Sequence, residues 1–443
     1  MDKRSFYLVS LGCAKNTVDS DSMAVLLNRA GYQAVEKPTK AQILIVNTCG
    51  FIHDARQESL DELRTLARKK KKGQILIAAG CLTQRWSEMV VEKVPGIDAV
   101  LGTRRWMDII EVIDQLLVEH PRVLYHLPET PGVGRDERGV LRAAVQGTSA
   151  YLKIADGCRR PCAFCAIPLI KGNLVSRPLE AILDDALRLE KTGIQEIILI
   201  AQDTTDYGHD LGLKDGLVNL LQQMLAKTQI PWLRIMYAYP GFVSDRLIEL
   251  MASNQRVLPY LDIPLQHSHP ETLRRMQRPA NIDWVHKTIE KLRAAMPHIA
   301  LRSTFIVGYP GETDIEFEDL LKFIQEVRFD RVGAFTYSAE IGTASYALGD
   351  SISPQVKQER FDRLMSIQTN ISHAINRTFV GKTLDVLVEG SGQGIYIGRS
   401  YRDAPEIDGL VVFEGQTTIG EIVPVHIKSA LPYDLTGVQI HHD

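Results

Sequence analysis

The sequence predicts an α/β protein in three parts: an N-terminal open parallel α/β domain, a central partial (β/α) barrel and a small C-terminal antiparallel β-barrel. Short apolar segments alternate with helical patterns from the N-terminus, and a second alternating series begins after a proline-rich break. From about Phe379 the helical patterns stop, and short strands bounded by glycines follow. A length of 443 residues suits about three domains.

The first alternating series, residues 1–120, predicts a parallel sheet covered by helices. Its strands are Phe6–Leu11, Gln42–Asn47, Gln74–Ala79 and Asp98–Leu101, and its helices include Asp19–Ala30 and Asp54–Ala67. Five consecutive basic residues, Arg68 to Lys72, stand directly before Gly73. We interpret them as the end of a helix, where cations suit the dipole and glycine serves as the C′ residue. A nucleic-acid patch is the alternative.

A linker is predicted for residues 121–145, where three prolines and several charges interrupt the patterns. The second series, residues 146–378, then predicts a parallel barrel or partial barrel with its working loops at the strand C-termini. The six strands are Ala150–Ala155, Glu196–Ala201, Leu233–Tyr239, Tyr260–Pro264, Ala300–Val307 and Arg331–Tyr337. The helices between them include Leu179–Lys191, Gly216–Lys227, Asp245–Ala252, Ile282–Ala295 and Asp314–Arg328.

The tail, residues 379–443, predicts a small β-barrel because its strands are short and no long helical pattern remains. The run from Gly390 to Gly394 loosely resembles a phosphate loop. It stands between two strands and opens no helix, so we predict a hairpin turn there. The strands are Leu384–Val388, Ile395–Gly398, Leu410–Phe413 and Ile422–Ile427.

Composition and charge exclude several classes of protein. Lys+Arg 51 against Asp+Glu 54 gives a formal net charge of −3, so no chain-wide basic field is available for nucleic acid. Six cysteines are too few for a disulfide scaffold of this length. The apolar start mimics a secretory signal, but it is very short and Lys15 follows at once. We therefore predict a cytoplasmic protein with no membrane segment, the alternative being a lipid-modified Cys13.

Three of the cysteines, Cys158, Cys162 and Cys165, form a C-x3-C-x2-C pattern directly after the first strand of the second series. Such close spacing lets one loop wrap three thiolates around one soft metal site, and barrel active sites form at this end of a strand. A four-iron cluster held by three thiolates keeps one iron open. A structural zinc site needs a fourth ligand, which no nearby residue obviously supplies.

The other three cysteines, Cys13, Cys49 and Cys81, each follow a predicted strand of the N-terminal domain. Because the carboxyl ends of parallel strands meet at one edge of a sheet, the three thiols are expected to meet there and form a second metal site. Two alternatives stay open at this point. The three could be buried core cysteines, or a zinc site could recruit His53, four residues after Cys49.

Polar residues also follow the strands of the predicted central barrel. Gln202 and Asp203 come after its second strand, Gln266 and His267 after its fourth, and Gly308 after its fifth. As a set facing the cysteine loop, they favour a bound zwitterionic cofactor. Individually they have plainer interpretations: His267 could be a core histidine, and the Glu312-Thr313 pair could simply open a helix.

These motifs together resemble a known family. The C-x3-C-x2-C loop with Phe164 before its last cysteine resembles the radical S-adenosylmethionine enzymes, and the three earlier cysteines and the final barrel extend the resemblance to the methylthiotransferases. That family's final barrel is of the TRAM type and binds substrate. Supporting segments are Ser10–Asn16, Asn47–Phe51, Asp262–His267 and Phe305–Thr313.

The resemblance implies two 4Fe–4S clusters and S-adenosylmethionine as cofactors. It places one cluster on Cys158, Cys162 and Cys165, where S-adenosylmethionine is chelated and cleaved to a 5′-deoxyadenosyl radical. It places the second on Cys13, Cys49 and Cys81, where sulfur is held. Phe164 is expected near the adenine, with Gln202, Asp203, Gln266 and Gly308 as further contacts to the cofactor. Beyond the cluster ligands, no catalytic residue is assigned.

The family has two branches, and the segments Cys13–Ser20 and Gly398–Gly409 resemble the one that modifies an aspartate of the twelfth small-subunit ribosomal protein. The C-terminal 65 residues carry four basic and nine acidic side chains, which suits a basic protein partner better than RNA. A merely solubilising acidic surface would explain the charge too. We thus expect a transferase that needs an electron donor, acts as a monomer and does not bind RNA as its main mode.

Two other functions remain as alternatives at this point. The first is the second branch of the family, which modifies adenosine in transfer RNA. That branch usually carries a Cys-Gln-Met-Asn type motif at the first cysteine, whereas this chain has Cys13-Ala14-Lys15-Asn16. The other alternative is a non-enzymatic module that binds zinc or a structural cluster.

Overall fold

A computed structural model describes residues 4–119, 121–130, 132 and 137–440 and divides into two compact units. The first unit comprises residues 1–144, 151–160 and 165–185, and the second comprises residues 145–150, 161–164 and 186–443. Among the described helices, none is both long and apolar enough to cross a membrane.

The first unit contains a six-stranded parallel sheet in the order β2-β1-β3-β4-β5-β6. The four predicted strands are its β1, β3, β4 and β5, each within two residues of its expected bounds. The strands are β1 Ser5–Ser10, β2 Gln33–Ala34, β3 Ile43–Thr48, β4 Ile75–Gly80, β5 Ala99–Gly102 and β6 Leu124–His126. The helices are α1 Ala14–Arg29, α2 His53–Lys69, α3 Cys81–Lys93 and α4 Ile109–Glu119, with short 3-10 helices at Pro38–Lys40 and Thr103–Asp108.

Two apolar layers cover the faces of this sheet. Because successive side chains of a strand point to opposite faces, Ile43 and Ile45 of β3 join one buried cluster and Leu44 and Val46 join the other. The first cluster includes residues of α1 and α4, and the second includes residues of α2 and α3. The unbroken apolar sequence of β3 is thus explained by burial on both sides.

The first two residues of the basic run, Arg68 and Lys69, form the end of α2, as the interpretation of the run as a helix end required, but Gly73 does not have the predicted C′ position. The helix stops at Lys69 and Lys70 is its C-cap, so Gly73 is not the C′ residue, although its φ is +86°. The Lys70 ammonium instead donates to the carboxylate of Asp98 (2.6 Å) and to the carbonyl of Gly96 (2.7 Å). The backbone of Lys70 is extended, with a φ of −60° and a ψ of +125°.

The first unit also holds the segments around residues 151–185. β9 (Ala155–Asp156) pairs antiparallel with β10 (Val175–Ser176), and the cysteine loop connects them through the short helix α5 (Ile167–Lys171). Helix α6, Leu179–Lys191, begins and ends where the sequence predicted.

The second unit is built on parallel strands β11 to β15, in the order β15-β14-β13-β12-β11. Its residues 145–150 comprise the end of β7 (Ala143–Gln146), the turn at Gly147 and Thr148, and the start of β8 (Ser149–Lys153), and the strand order of the sheet continues from β11 to β8 and β7. The strands are β11 Glu196–Ile200, β12 Trp232–Ile235, β13 Val257–Asp262, β14 Ala300–Val307 and β15 Arg331–Thr336. The helices are α7 Gly216–Lys227, α8 Asp245–Ser253, α9 Pro270–Arg275, α10 Ile282–Ala295, α11 Asp314–Val327 and α12 Pro354–Arg377, with 3-10 helices at Thr204–Asp206, His209–Leu211 and Ala344–Leu348.

Two features of this unit differ from the sequence prediction. Strand β12 stops at Ile235 rather than Tyr239, because Tyr237 takes a left-handed φ of +62° that a strand does not allow. The long helix α12 was not predicted. It buries polar side chains, among them Lys357, Arg360 and Gln368, so it lacks the apolar face by which a helix is recognised.

The tail forms a closed barrel of five strands in the order β16-β17-β18-β20-β19. The Gly390–Gly394 run lies at a β16–β17 hairpin, as predicted, with left-handed φ at Gln393 and Gly394. The barrel is not wholly antiparallel, since β18 and β20 pair in parallel, and β20 was not predicted. The strands are β16 Thr383–Gly392, β17 Ile395–Ser400, β18 Val411–Glu414, β19 Ile422–Ala430 and β20 Leu435–Gln439.

Buried ion pairs attach this small barrel to the strands of the second unit. Arg399 donates to Glu196 (2.5 Å), which also accepts from Arg234 (2.6 Å). Arg331 donates to Asp403 (2.6 Å). The segment that resembled the ribosomal-protein branch, Gly398–Gly409, therefore supplies buried charges near the start of the parallel strands.

Candidate metal and cofactor sites

Cys13, Cys49 and Cys81 lie at the carboxyl ends of three neighbouring parallel strands, β1, β3 and β4. Cys49 directly follows β3 and Cys81 directly follows β4. Cys13 is the N-cap of α1 and Cys81 is the first residue of α3, so two of the thiols sit at positive helix termini. Such positions favour bound anionic groups.

Glycines allow the three cysteine loops to approach one another. A Cβ added to Gly12, whose φ is +95°, would lie 2.7 Å from Cβ of Cys49. A Cβ added to Gly50 would lie 2.6 Å from Cα of Leu82, next to Cys81. Both distances are far below ordinary carbon contacts, so only glycine permits this packing. The loop of Cys13 thus touches Cys49, and the loop of Cys49 touches the start of α3.

Asn16 connects the first and third of these cysteine segments. Its side-chain amide donates to the carbonyls of Leu11 (2.6 Å) and Asn47 (3.2 Å), where β1 and β3 end. Its Oδ1 lies 4.0 Å from Sγ of Cys81, which donates to it. One buried amide therefore holds two strand ends and one thiol in register.

Ser59 of α2 holds the backbone of Cys49. Its hydroxyl oxygen accepts from the N–H of Cys49 (3.0 Å) and lies 3.0 Å from the Cys49 carbonyl. These two contacts fix the peptide from which the thiol projects. Neither Asn16 nor Ser59 was singled out from the sequence as a site residue, because a lone polar residue on a helix gives no signal of its partner.

The environment of the thiols keeps two of them protonated in the metal-free protein. Burial raises the pKa of the Cys49 thiol, and it raises the pKa of Cys81 to about 12 against an opposing attraction from Lys171. Cys13 is exposed. Metal binding at these thiols must therefore displace protons, as expected for thiolate ligands.

A metal site is not preassembled in the described part of the chain, where no three His, Cys, Asp or Glu side chains stand close enough to hold an ion. The donor chemistry nevertheless fits an iron–sulfur cluster, because three thiols share one edge of the sheet and glycines admit their close approach. His53 begins α2 with its ring exposed beside Asp54 (3.2 Å). Its contact with Asp54 does not bring the His53 ring to the thiols as a fourth ligand.

The C-x3-C-x2-C loop starts from a tightly folded turn in the first unit. The N–H of Cys158 donates to the carbonyl of Gly172 (3.0 Å). Gly157 has a φ of +73°, and a Cβ there would lie 2.0 Å from the carbonyl oxygen of Asn173. The N–H of Arg160 points to Sγ of Cys158 at 3.4 Å. A backbone donor aimed at sulfur stabilises a thiolate ligand.

Cys162 belongs to the second unit, and two polar side chains of the same unit contact its sulfur. Arg278 donates to its Sγ at 3.5 Å, and the Tyr239 hydroxyl lies 3.7 Å from the same sulfur. The Arg278 guanidinium also stacks on the Tyr239 ring at 4.4 Å. The sulfur of Cys162 is therefore held between a guanidinium donor and a phenol hydroxyl. Arg278 was missed in the sequence, where it is one arginine of a polar segment.

Phe164 also belongs to the second unit and packs against an aromatic group within it. Its neighbours there are Met276, Tyr309 and Tyr337, and the backbone N–H of Ala163 donates to the Met276 carbonyl (2.9 Å). Tyr309 and Tyr337 meet edge to face at 5.2 Å. The ring therefore belongs to a partly buried apolar wall, a surface on which a flat heterocycle can pack.

The other predicted contacts follow the strands of the second unit. Asp203 is buried and accepts from the Thr205 hydroxyl (2.5 Å), and Gln202 directly precedes it. Gln266 has a left-handed φ of +74°, and its backbone bonds to Thr304 and Ile306 of β14. These residues lie at the carboxyl ends of parallel strands, where such folds place their sites.

Gly308 marks the close approach of α12 to the end of β14. A Cβ added there would lie 2.3 Å from Cγ of Lys357, and the φ of Gly308 is +70°. Only glycine allows the backbone to turn so near to this side chain. The Lys357 ammonium donates to the carbonyl of Tyr337 (3.0 Å), so α12 is fixed against the aromatic wall.

The plainer interpretations suit the remaining polar residues. His267 is fully buried, its Nδ1 accepts from the His269 N–H (2.9 Å), and burial lowers its pKa to about 3, as in a neutral core histidine. Thr313 caps α11 in a capping box with Glu316. Glu312 does not cap: it accepts from Tyr309 and Arg360, and burial raises its pKa to about 7.

Comparison with known proteins assigns the family. Three family models match: Uncharacterized protein family UPF0004 at residues 5–102, the Radical SAM superfamily at 152–324 and the TRAM domain at 380–440. The chain is 47% identical to ribosomal protein uS12 methylthiotransferase RimO of Roseiflexus sp. (strain RS-1), covering 98% of this chain and 97% of that protein. The protein of the same description from Chloroflexus aurantiacus is 48% identical over 98% of this chain and 99% of its own length. The chain belongs to the uS12 methylthiotransferase family.

Solved structures agree with this fold. A radical S-adenosylmethionine methyltransferase, TsrM from Kitasatospora setae, matches 89% of this chain and 80% of its own with a TM-score of 0.58 at 13% identity. The radical enzyme OxsB matches 83% of this chain and 56% of its own with a TM-score of 0.53 at 12% identity. The predicted fold class is thereby confirmed. As a member of its family the chain is a transferase of the radical S-adenosylmethionine type, with a 4Fe–4S cluster and S-adenosylmethionine as its cofactors.

Proposed function

We propose that this protein adds a methylthio group to the β-carbon of an aspartate in ribosomal protein uS12. The observation that carries the proposal is the near full-length similarity, at 47% and 48% identity, to proteins described as uS12 methylthiotransferases. The unactivated C–H bond of that carbon is beyond side-chain acid–base chemistry, so cofactors must supply the reactivity. The chain's own residues bind and orient those cofactors.

Cys158, Cys162 and Cys165 are the proposed ligands of the first cluster. Arg278 and the backbone N–H of Arg160 donate to the sulfur atoms of two of them, Cys162 and Cys158. When bound and reduced by an external electron donor, the cluster would pass one electron to S-adenosylmethionine, and the 5′-deoxyadenosyl radical formed with release of methionine would take the hydrogen atom. Phe164 offers its ring to the adenine, and Gln202, Asp203, Gln266 and Gly308 are proposed to bind the rest of the cofactor at the strand ends.

Cys13, Cys49 and Cys81 are proposed to hold a second 4Fe–4S cluster. Three thiols would hold such a cluster with one iron free of protein ligands, and that iron could bind the sulfur to be transferred. Asn16 and Ser59 hold the backbone from which these thiols project. Their role is to keep the three loops at a fixed spacing when the metal is loaded.

The exposed charge of the small barrel supports a protein substrate. Its two arginines, Arg399 and Arg402, are buried in ion pairs and cannot reach a phosphate backbone. The exposed side chains that remain include two lysines and a larger number of carboxylates: Lys382, Lys428, Asp385, Glu406, Glu414 and Glu421. Such a surface repels RNA and attracts a basic ribosomal protein. We therefore expect the enzyme to act in the cytoplasm and as a monomer. Its second partner would be an electron donor.

The test is a mass-spectrometric assay with two substrates side by side. Reconstituted enzyme, reductant and S-adenosylmethionine are incubated with uS12 and, separately, with transfer RNA. We expect uS12 to gain the mass of one methylthio group on an aspartate and the RNA digest to stay unmodified. Modified adenosine with unchanged uS12 would overturn the proposal in favour of the RNA branch, and an enzyme with loaded clusters that modifies neither would overturn it altogether.

A further inference from the structure

Basic residues gather at the amino-terminal edge of the parallel sheet in the first unit. They lie in three segments, residues 36–40, 68–74 and 92–98, which lead into β3, β4 and β5 respectively. The three segments together hold eight basic and three acidic residues, although the whole chain has a net charge of −3. Because parallel strands all begin at one edge and end at the other, this edge lies opposite the N-terminal cysteines.

Side-chain hydrogen bonds hold the first two segments together. The Lys71 ammonium donates to the carbonyl of Thr39 (3.2 Å). The Gln74 amide donates to the carbonyls of Pro38 (2.8 Å) and Ala41 (2.6 Å). The basic run after α2 is thereby fixed against the segment that carries two further lysines.

The third segment joins the other two through α2 and Lys70. The Lys70 ammonium donates to the Gly96 carbonyl and the Asp98 carboxylate, and Arg64 of α2 donates to the Lys93 carbonyl (3.4 Å). The three segments therefore form one surface, which we call the basic edge. Its exposed cations are Lys37, Lys40, Arg68, Lys69, Lys72 and Lys93.

The fold accounts for only part of this charge. Lys70 pairs with Asp98, Lys71 fixes a loop, and Arg68 and Lys69 suit the negative end of the α2 dipole. In the described part of the chain, no carboxylate lies within ion-pair distance of the other lysines of the basic edge, Lys37, Lys40, Lys72 and Lys93. Unpaired like charges on one surface repel one another, so stability does not explain why they are together.

The composition of the basic edge indicates the chemistry of its partner. Among its described residues no large apolar side chain is exposed, whereas a membrane-binding surface inserts apolar groups between lipids. Its three segments contain no aromatic residue, so they offer no ring on which an unpaired base could stack. Exposed cations without either feature suit the phosphate backbone of a nucleic-acid duplex, which is recognised by charge alone.

We propose that the basic edge binds the phosphate backbone of double-stranded RNA beside the protein substrate, so that the enzyme acts on uS12 within a ribonucleoprotein. The inference rests on the proposed function, because a ribosomal protein is the substrate that RNA surrounds. The exposed carboxylates of the small barrel disfavour RNA, and the basic edge supplies a separate surface for it. Such a contact does not read sequence, and salt weakens it steeply.

The first test measures binding of a labelled RNA duplex to the full chain by fluorescence anisotropy over a series of salt concentrations. One variant replaces four cations of the basic edge with glutamine: Lys37, Lys40, Lys69 and Lys72. The control variant makes the same change of charge at four exposed lysines elsewhere: Lys191, Lys214, Lys287 and Lys322. We expect the first variant to bind at least about tenfold more weakly and with a salt slope lower by about three, and the control to bind as the wild type does.

The second test compares methylthio transfer to free uS12 and to uS12 in purified small ribosomal subunits. The basic edge lies away from the cysteines, so the first variant should keep its iron and modify free uS12 at the wild-type rate. Its kcat/KM for uS12 in the subunit should fall about tenfold, since the lost phosphate contacts act only there. The control variant should modify both forms as the wild type does.

Several outcomes would overturn the inference alone: equal loss of duplex binding in both variants, binding to phosphatidylserine vesicles but not to the duplex, or a wild type that modifies only free uS12. Binding of transfer RNA far tighter than the duplex would also overturn it, since the RNA would then be read as a substrate. A wild type that modifies neither form of uS12 would overturn the proposed function, while the anisotropy comparison would still decide whether the basic edge binds RNA.

Discussion

At the residue scale, Gly12 has the most exacting position in the proposed second cluster site. Its φ is +95° and an added Cβ would lie 2.7 Å from Cβ of Cys49, so any larger residue pushes two ligand loops apart. We expect Gly12→Ala to lose about four of about eight irons, since one cluster of the two can no longer assemble. Iron and sulfide analysis of the reconstituted protein measures this directly.

The control for Gly12 is a glycine with the same backbone strain but no close neighbour. Gly193 has a φ of +84° and nothing within 4 Å of an added Cβ. Gly193→Ala should cost about 1 kcal/mol of unfolding free energy, as for a left-handed alanine, and keep its full iron content. An equal loss of iron in both variants would show that backbone strain, rather than the distance to Cys49, decides cluster assembly.

At the element scale, the buried pairing of Glu196 with Arg234 and Arg399 holds β11, β12 and β17 together. Glu196→Gln leaves the Arg234 guanidinium without its counter-charge and leaves Arg399 with Glu389 alone, which lies 2.6 Å away. Breaking a buried ion pair in this way costs about 3–5 kcal/mol. We therefore expect the free energy of unfolding at pH 7, measured by urea titration, to fall by that amount. The exposed Glu414→Gln in the small barrel should change it by no more than about 0.5 kcal/mol.

The same carboxylate makes stability depend on acidity. Burial raises the pKa of Glu196, but Arg234 and Arg399 more than offset this and hold it at about 2, below its ordinary value of about 4.5. The stabilisation is therefore fully present above pH 4.5 and is lost as the pH falls towards 2. The difference between wild type and Glu196→Gln should shrink across that window. A difference that stays constant from pH 7 to pH 3 would contradict the assigned pairing.

The elements also show what a sequence can and cannot reveal about this fold. The strands β1, β3 and β4 were predicted because each is a continuous apolar segment, and their order then placed the cysteines at one edge. Helix α12 was missed because its buried face carries charged and amide side chains. Periodicity detects the burial of apolar groups only, so elements buried through ion pairs look like surface.

The same limit applies to the candidate site. The six cysteines were found by their spacing and by the strands before them, whereas the contact between Lys171 and Asp19 joins residues 152 positions apart. Nothing local in either segment marks that pairing. Likewise Arg399 and Asp403 are buried, and no local pattern around them indicates which residues they pair with. The structural role of a buried charged residue depends on which residue it pairs with. The sequence alone does not show that pairing.

At the scale of the whole molecule, one chain is proposed to hold two clusters with different tasks. The N-terminal sheet gathers three thiols at the ends of neighbouring strands, and a single loop carries the other three. Each set has three sulfur donors, so each cluster retains one iron for a non-protein ligand. This division explains why the cysteines of the chain fall in two groups of three.

Iron and sulfide content of three reconstituted full-length proteins tests this claim most directly. The account predicts about eight irons in the wild type and about four after alanine replaces either Cys13, Cys49 and Cys81 or Cys158, Cys162 and Cys165. Each triple variant should keep the absorption and Mössbauer signature of one 4Fe–4S cluster. About four irons in the wild type, all lost when the C-x3-C-x2-C loop is replaced, or zinc in place of iron at the N-terminal cysteines, would contradict it.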